Sequence, residues 1–145
     1  MLRKIFILII PVLLSAPALA QNKDAILGKW LNASGEAQIQ IYKKGDQYAG
    51  KIVWLKSPND EAGKPKLDSK NPDQSLQKRT LLGAEILQNF AYASANTWEK
   101  GRIYDPKTGK TYDCKLSMTS SDKLDVRGYV GFSLLGRTET WSRVK

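Results

Sequence analysis

The chain has 145 residues with 23 Lys and Arg against 14 Asp and Glu, a formal net charge of +9, one cysteine and no histidine, which is one domain's worth of sequence. The single cysteine, Cys114, excludes an intramolecular disulfide, and the absence of histidine removes the usual general base and the commonest zinc ligand. The basic residues are scattered as singles and pairs, which reads as a solvated surface and not as a nucleic-acid-binding stripe.

Residues 1–20 carry Arg3 and Lys4, then an apolar run from Ile5 to Leu14, then small residues ending in Ala18-Leu19-Ala20. That order is the layout of a secretory signal peptide cleaved after Ala20. The run is interrupted at Pro11 and is far short of the ~20 residues a spanning helix needs. The reading predicts a periplasmic or secreted protein with no membrane span, whose residues 21–145 form a single folded domain.

Lys23 to Leu27 looks like a short helical turn ahead of Gly28-Lys29-Trp30, where a first strand begins. Glu36 to Tyr42 alternates, with Ile39 and Ile41 on one face, and Lys43-Lys44-Gly45-Asp46 signals a turn into a second alternating run, Gln47 to Leu55, which puts Tyr48, Ile52 and Trp54 on a common side. Pro58 to Lys78 holds three prolines and almost nothing apolar, so it reads as a long surface loop, either a functional lid or a mobile connection. Leu81 to Phe90 is short and apolar and is read as a strand, followed by another from Thr97 to Tyr104.

Thr108-Gly109-Lys110-Thr111 resembles the end of a phosphate-binding loop, but Tyr104 stands where the first glycine must be, and the chain goes on as an alternating strand and not as a helix. Asp105-Pro106-Lys107-Thr108-Gly109 is instead a hairpin connection. Thr111 to Met118 then places Tyr112, Cys114, Leu116 and Met118 on the apolar side, making Cys114 a small core residue and not a nucleophile. Lys123 to Val130 and Arg137 to Val144 complete a set of eight short strands. Many short strands joined by tight turns, with no convincing amphipathic helix, predict an all-β antiparallel barrel or sandwich. A meander that closes on itself leaves no free edge, which suits a monomer.

Gly28-Lys29-Trp30 at the first strand, with an arginine on the last, resembles the G-x-W signature of lipocalin-like barrels. In those proteins the tryptophan lies across one barrel end under a late arginine, here Arg143 or Arg137. Trp98, Gly101, Ile103-Tyr104-Asp105-Pro106, Gly109-Lys110-Thr111-Tyr112, Leu124, Val126-Arg127-Gly128-Tyr129, Gly131, Gly136-Arg137-Thr138, Trp141 and Arg143 together resemble an uncharacterised bacterial export family, domain of unknown function 2147. The resemblance implies an eight-stranded lipocalin-like barrel with a short N-terminal helical turn, and implies no activity.

A barrel of this kind draws its interior from alternate strand positions. The candidates for contact with a ligand are Tyr48, Trp54, Trp98, Tyr104, Arg127 and Arg137, with Trp30 and Arg143 as structural residues of one barrel end. Glu139 shares a strand face with Arg137, Trp141 and Arg143. No G-x-S-x-G elbow, metal-ligand spacing or cofactor motif is present, so no catalytic residue, metal or cofactor is assigned. The expected function is binding of a small, partly apolar and anionic molecule. The alternative is a solid barrel that docks on an envelope protein, and in neither reading is the protein an enzyme.

Overall fold

The computed structural model describes residues 11–12, 22–131 and 135–145. The expected signal peptide falls on residues 1–20, which apart from Pro11 and Val12 lie outside the described residues. Among those described there are eight strands, β1 (Gly28–Leu31), β2 (Ala37–Lys44), β3 (Gln47–Leu55), β4 (Glu85–Ser94), β5 (Thr97–Asp105), β6 (Lys110–Ser120), β7 (Lys123–Tyr129) and β8 (Gly136–Arg143). Each pairs antiparallel with its sequence neighbours, and β8 returns to β1 to close a barrel.

Alternation builds the core. Ile39, Ile41, Tyr48, Ile52, Leu87, Phe90, Trp98, Cys114, Leu116, Leu124, Val126 and Trp141 are buried in one cluster with Ile26 and Trp30. Each large apolar side chain taken out of water contributes about 1.5–3 kcal/mol. Asn89 and Lys100 adopt the left-handed conformation where the ladders slip a residue on either side of β4 and β5. Gly101 sits inside that irregular stretch because a Cβ there would collide with the ring of the fully buried Phe90.

The strand expectations hold with shifted ends. The run from Leu81 begins as a turn, and its strand starts at Glu85. The segment expected as a helical turn is a pair of consecutive turns, Ala25 N–H to Asn22 O at 3.1 Å and Leu27 N–H to Asp24 O at 3.1 Å. The hairpin at residues 105–109 closes through Gly109 N–H to Asp105 O at 2.8 Å.

Closure is uneven along the barrel axis. β1 is four residues long and β8 eight, so the seam between them consists of Trp30 opposite Arg143 and Leu31 opposite Ser142. Among the described residues, no strand pairs with residues 136–140 on that side. The barrel closes as expected, but through a short seam, and among the described residues the rest of β8 has no pairing with β1.

Candidate functional site

The barrel's two ends differ in chemistry. At one end the chain before β1 lies across the opening. Trp30 Nε1 donates to Ile26 O at 2.9 Å, Trp98 Nε1 to Lys23 O at 3.1 Å, and the Tyr48 hydroxyl to an Asp24 carboxylate oxygen. Arg143 packs its guanidinium 4.3 Å from the centre of the Trp30 ring and donates to Ala25 O, Leu27 O and Ser121 O at 2.6, 2.9 and 2.7 Å. The structure thus gives Arg143, not Arg137, the barrel-end role with Trp30. The hydroxyl of Tyr48 holds the Asp24 carboxyl below its usual range, with help from Lys43, and burial together with that bond pushes the phenol up.

The other end is open. Its rim consists of the β1–β2 turn, the long 56–84 connection, the β5–β6 turn and the β7–β8 connection. In a ring of eight strands the first and third of these stand opposite each other, and Lys107 reaches across to Glu36 with Nζ 2.6 Å from Oε2. That hydrogen bond and the charge of Lys107 lower the Glu36 pKa, while Glu36, with Asp105 and Glu139, raises that of Lys107.

Inside this rim the strand register turns Glu139 inward opposite Val126, and Arg137 inward opposite Gly128. Both are exposed to solvent, and the neighbouring inward residues Ile103 and Tyr112 are half-buried. The inward positions toward the open end, here called the cup, are thus partly reached by solvent, above a packed floor. Trp141 is 3% exposed on that floor, and its Nε1 has no hydrogen-bond partner among the described residues.

Several of the residues expected to line a pocket lie elsewhere. Tyr48 and Trp98 do face inward, but they are packed into the closed end, with Trp98 edge-on to Tyr48 and Tyr92. Trp54 is 41% exposed on the outer wall, because Val53 is an extra residue between the pairs Gln38–Trp54 and Ile39–Ile52. One inserted residue reverses which face follows, so Leu55 takes the inward position. Arg127 faces outward and donates from Nη1 to Thr138 Oγ1 at 3.0 Å. Of the six, only Arg137 is both inward and reached by solvent. Cys114 is buried as expected, and burial alone pushes its thiol up to about 12.

Tyr104 also points outward, and sequence reasoning missed what covers it. Its hydroxyl donates to Asp68 Oδ1 at 2.6 Å, while Asp68 Oδ2 accepts from Asn71 Nδ2 at 2.8 Å and Arg79 Nε at 2.9 Å. Asp68 is 1% exposed, a buried charge made tolerable by three donors. Burial and the bond to Asp68 push the Tyr104 phenol up to about 12. The long loop is thereby anchored to the outer wall. It also grips the β5–β6 turn, where Lys70 Nζ donates to Lys107 O at 2.8 Å and the Lys70 carbonyl occupies the space that a side chain on Gly109 would need.

Two clefts stand out among the described residues, and both are on the outer wall. One, of about 180 Å³, lies between this anchored loop and the barrel beside Arg79, Glu85 and Tyr104; the other is beside Lys100, Lys115 and Tyr129. Among the described residues no three His, Cys, Asp or Glu side chains converge as metal ligands.

Residues 28–143 match the model of a family described as an uncharacterized protein conserved in bacteria, DUF2147. The chain belongs to this family. Protein HP1028 from Helicobacter pylori, described as belonging to the lipocalin family, is similar in structure, with a TM-score of 0.73 at 18% identity over 83% of each chain. At that identity the likeness establishes a lipocalin-like barrel and nothing finer. No curated protein matches the sequence.

Proposed function

We propose that this is an exported, non-catalytic barrel that binds a small, partly apolar molecule in the cup at its open end. The observation that carries the reading is Trp141 Nε1, a buried donor without an acceptor among the described residues, on the inward face of β8 that also carries the solvent-exposed Glu139. Buried polar groups are almost always hydrogen-bonded, so an orphan calls for a partner. A ligand carbonyl or carboxylate would supply it, with Ile103, Tyr112 and Val126 taking the apolar part. The N-terminal layout of basic, apolar and small residues supports export.

The test is native mass spectrometry on protein purified gently from an envelope extract, followed by organic extraction of what it carries. The expected result is a reproducible small-molecule adduct whose affinity falls about tenfold in Trp141→Phe, the loss of one hydrogen bond. A bare mass, repeated after lipophilic carboxylates and envelope lipids are offered, would overturn the reading. It would favour instead an interaction module, for which the exposed apolar side chains of Val130 and Leu135 at the open rim speak, at 68% and 71%.

A further inference from the structure

The unpaired edge of β8 is the least explained feature of the barrel. Val144 N–H bonds to Lys29 O in β1, and Arg143 N–H bonds to Asp122 O on the β7 side. Backbone groups alternate in direction along a strand, so those of Ser142, Thr140, Thr138 and Gly136 all point toward the β1 side. Ser142 has Leu31 opposite it. Among the described residues, Thr140, Thr138 and Gly136 have no strand there. The side chains at residues 137–140 are exposed, and Thr138 and Thr140 are tied to β7 by side-chain hydrogen bonds to Arg127 and Asp125, which hold the edge straight.

An open strand edge is a template for pairing, and inward-pointing charges normally protect it from arbitrary partners. Here Arg137 and Glu139 are those charges, and their spacing suits one partner. When the stretch Gly136-Arg137-Thr138-Glu139-Thr140 meets an antiparallel copy of itself centred on Thr138, Thr138 faces Thr138 as a hydrogen-bonded pair and each Gly136 faces a Thr140. Each Arg137 then faces a Glu139 at a non-hydrogen-bonded position, where opposed side chains come closest. An apolar strand would leave both of these charges unmatched, and a singly charged one would leave one.

We infer that the β8 edge is the interface of a two-fold homodimer, formed by antiparallel pairing of residues 136–140 with the same residues of a second copy. The interface is isologous, as two-fold symmetry requires. It buries the free backbone groups of Gly136, Thr138 and Thr140 and neutralises two Arg–Glu pairs. The same register places Leu135, among the most exposed apolar residues described, beside Trp141 of the second copy, one step beyond the ladder. The interface shares the inward face of β8 with the ligand reading, but its test reads self-association and not ligand capture.

Sedimentation equilibrium of the purified protein over a concentration series tests it. A reversible dimer is expected. Glu139→Arg and Arg137→Glu each set like charges against each other twice and weaken the dimer by about tenfold or more, while the double reversal R137E/E139R restores the pairing and the dimer. Thr138→Pro removes an N–H that faces the second copy and none that faces β7, so it abolishes the dimer while the circular dichroism spectrum stays that of the parent. A monomer at every concentration up to the millimolar range would overturn the proposal. So would a dimer that none of these substitutions changes, or one that the double reversal fails to restore.

Discussion

The two ends of this barrel are made of the same strands and solve opposite problems. At the closed end the polar groups of Trp30, Trp98, Tyr48 and Arg143 all meet partners from the chain before β1 or from the β6–β7 turn. At the open end, among the described residues, a buried indole N–H lacks a partner, two opposite charges stand exposed on the inward face, and residues 136–140 of β8 have no strand on the β1 side. Stability is concentrated where hydrogen bonding is complete. Recognition is expected where it is not, because an unsatisfied group is free energy that a ligand or a second copy can recover.

Arg143→Ala should cause the largest loss. It removes the cover of the Trp30 ring and leaves the carbonyls of Ala25, Leu27 and Ser121 short of a charged donor, so we expect destabilisation of about 3 kcal/mol in urea unfolding. Arg143→Lys should recover only part of it, since a single ammonium cannot place three N–H groups on three carbonyls while stacking on the indole. If both substitutions cost less than Asp68→Asn, the closed end is not the anchor of the fold.

Asp68→Asn comes next and concerns the long loop. The amide keeps one acceptor oxygen and turns an NH₂ group toward either the Tyr104 hydroxyl or the Arg79–Asn71 pair, leaving the arginine without its carboxylate. A loss of about 2 kcal/mol is expected, with faster proteolysis within residues 58–78. The Tyr104 phenol is raised to about 12 from an ordinary value of 10.0, so its stabilising contribution is complete below pH 10 and is lost as pH rises through the folded value. Thermal melting should fall above pH 10, and less steeply in Tyr104→Phe.

How much of this was legible beforehand depends on whether a feature is periodic. The eight strands, the hairpin at Gly109 and the buried Cys114 follow from alternation and turn chemistry, and the packing of Trp30 under a late arginine, Arg143 or Arg137, from the resemblance to lipocalin-like barrels. Trp54 was placed wrongly because a bulge leaves no mark in the alternation of side chains: Val53 fits the apolar pattern whether or not it is the extra residue. Tyr104 reads as a ligand contact from the sequence because Asp68, the group that buries it on the outer wall, sits 36 residues away in a loop whose composition reads as solvated. The short seam between β1 and β8 was invisible for a different reason, since it depends on where β1 stops pairing and not on which residues compose β8. Arg137 and Glu139 could be placed on one face with Trp141 by counting alone, but that the face is wet required the barrel.

The smallest effect separates the two ends most cleanly, because each holds a carboxylate whose pKa is lowered by a partner from another part of the chain. At the closed end it is Asp24, held by Tyr48 first and by Lys43; at the open end it is Glu36, held by Lys107. A depressed folded value means that the contribution is present above the ordinary pKa of each group, near 4, and is lost as pH falls through the lower folded value. The partners differ, since Tyr48 is fully buried in the core while Lys107 is a surface side chain. Protonating Asp24 therefore disturbs the plug and the whole fold, whereas protonating Glu36 releases only a strap that salt also loosens. Asp24→Asn should lower the melting temperature at pH 7 and flatten its fall below pH 4. Glu36→Gln should leave both unchanged. Equal destabilisation by the two substitutions would mean that the strap is part of the fold's frame, and the contrast between a finished end and an unfinished one would fail.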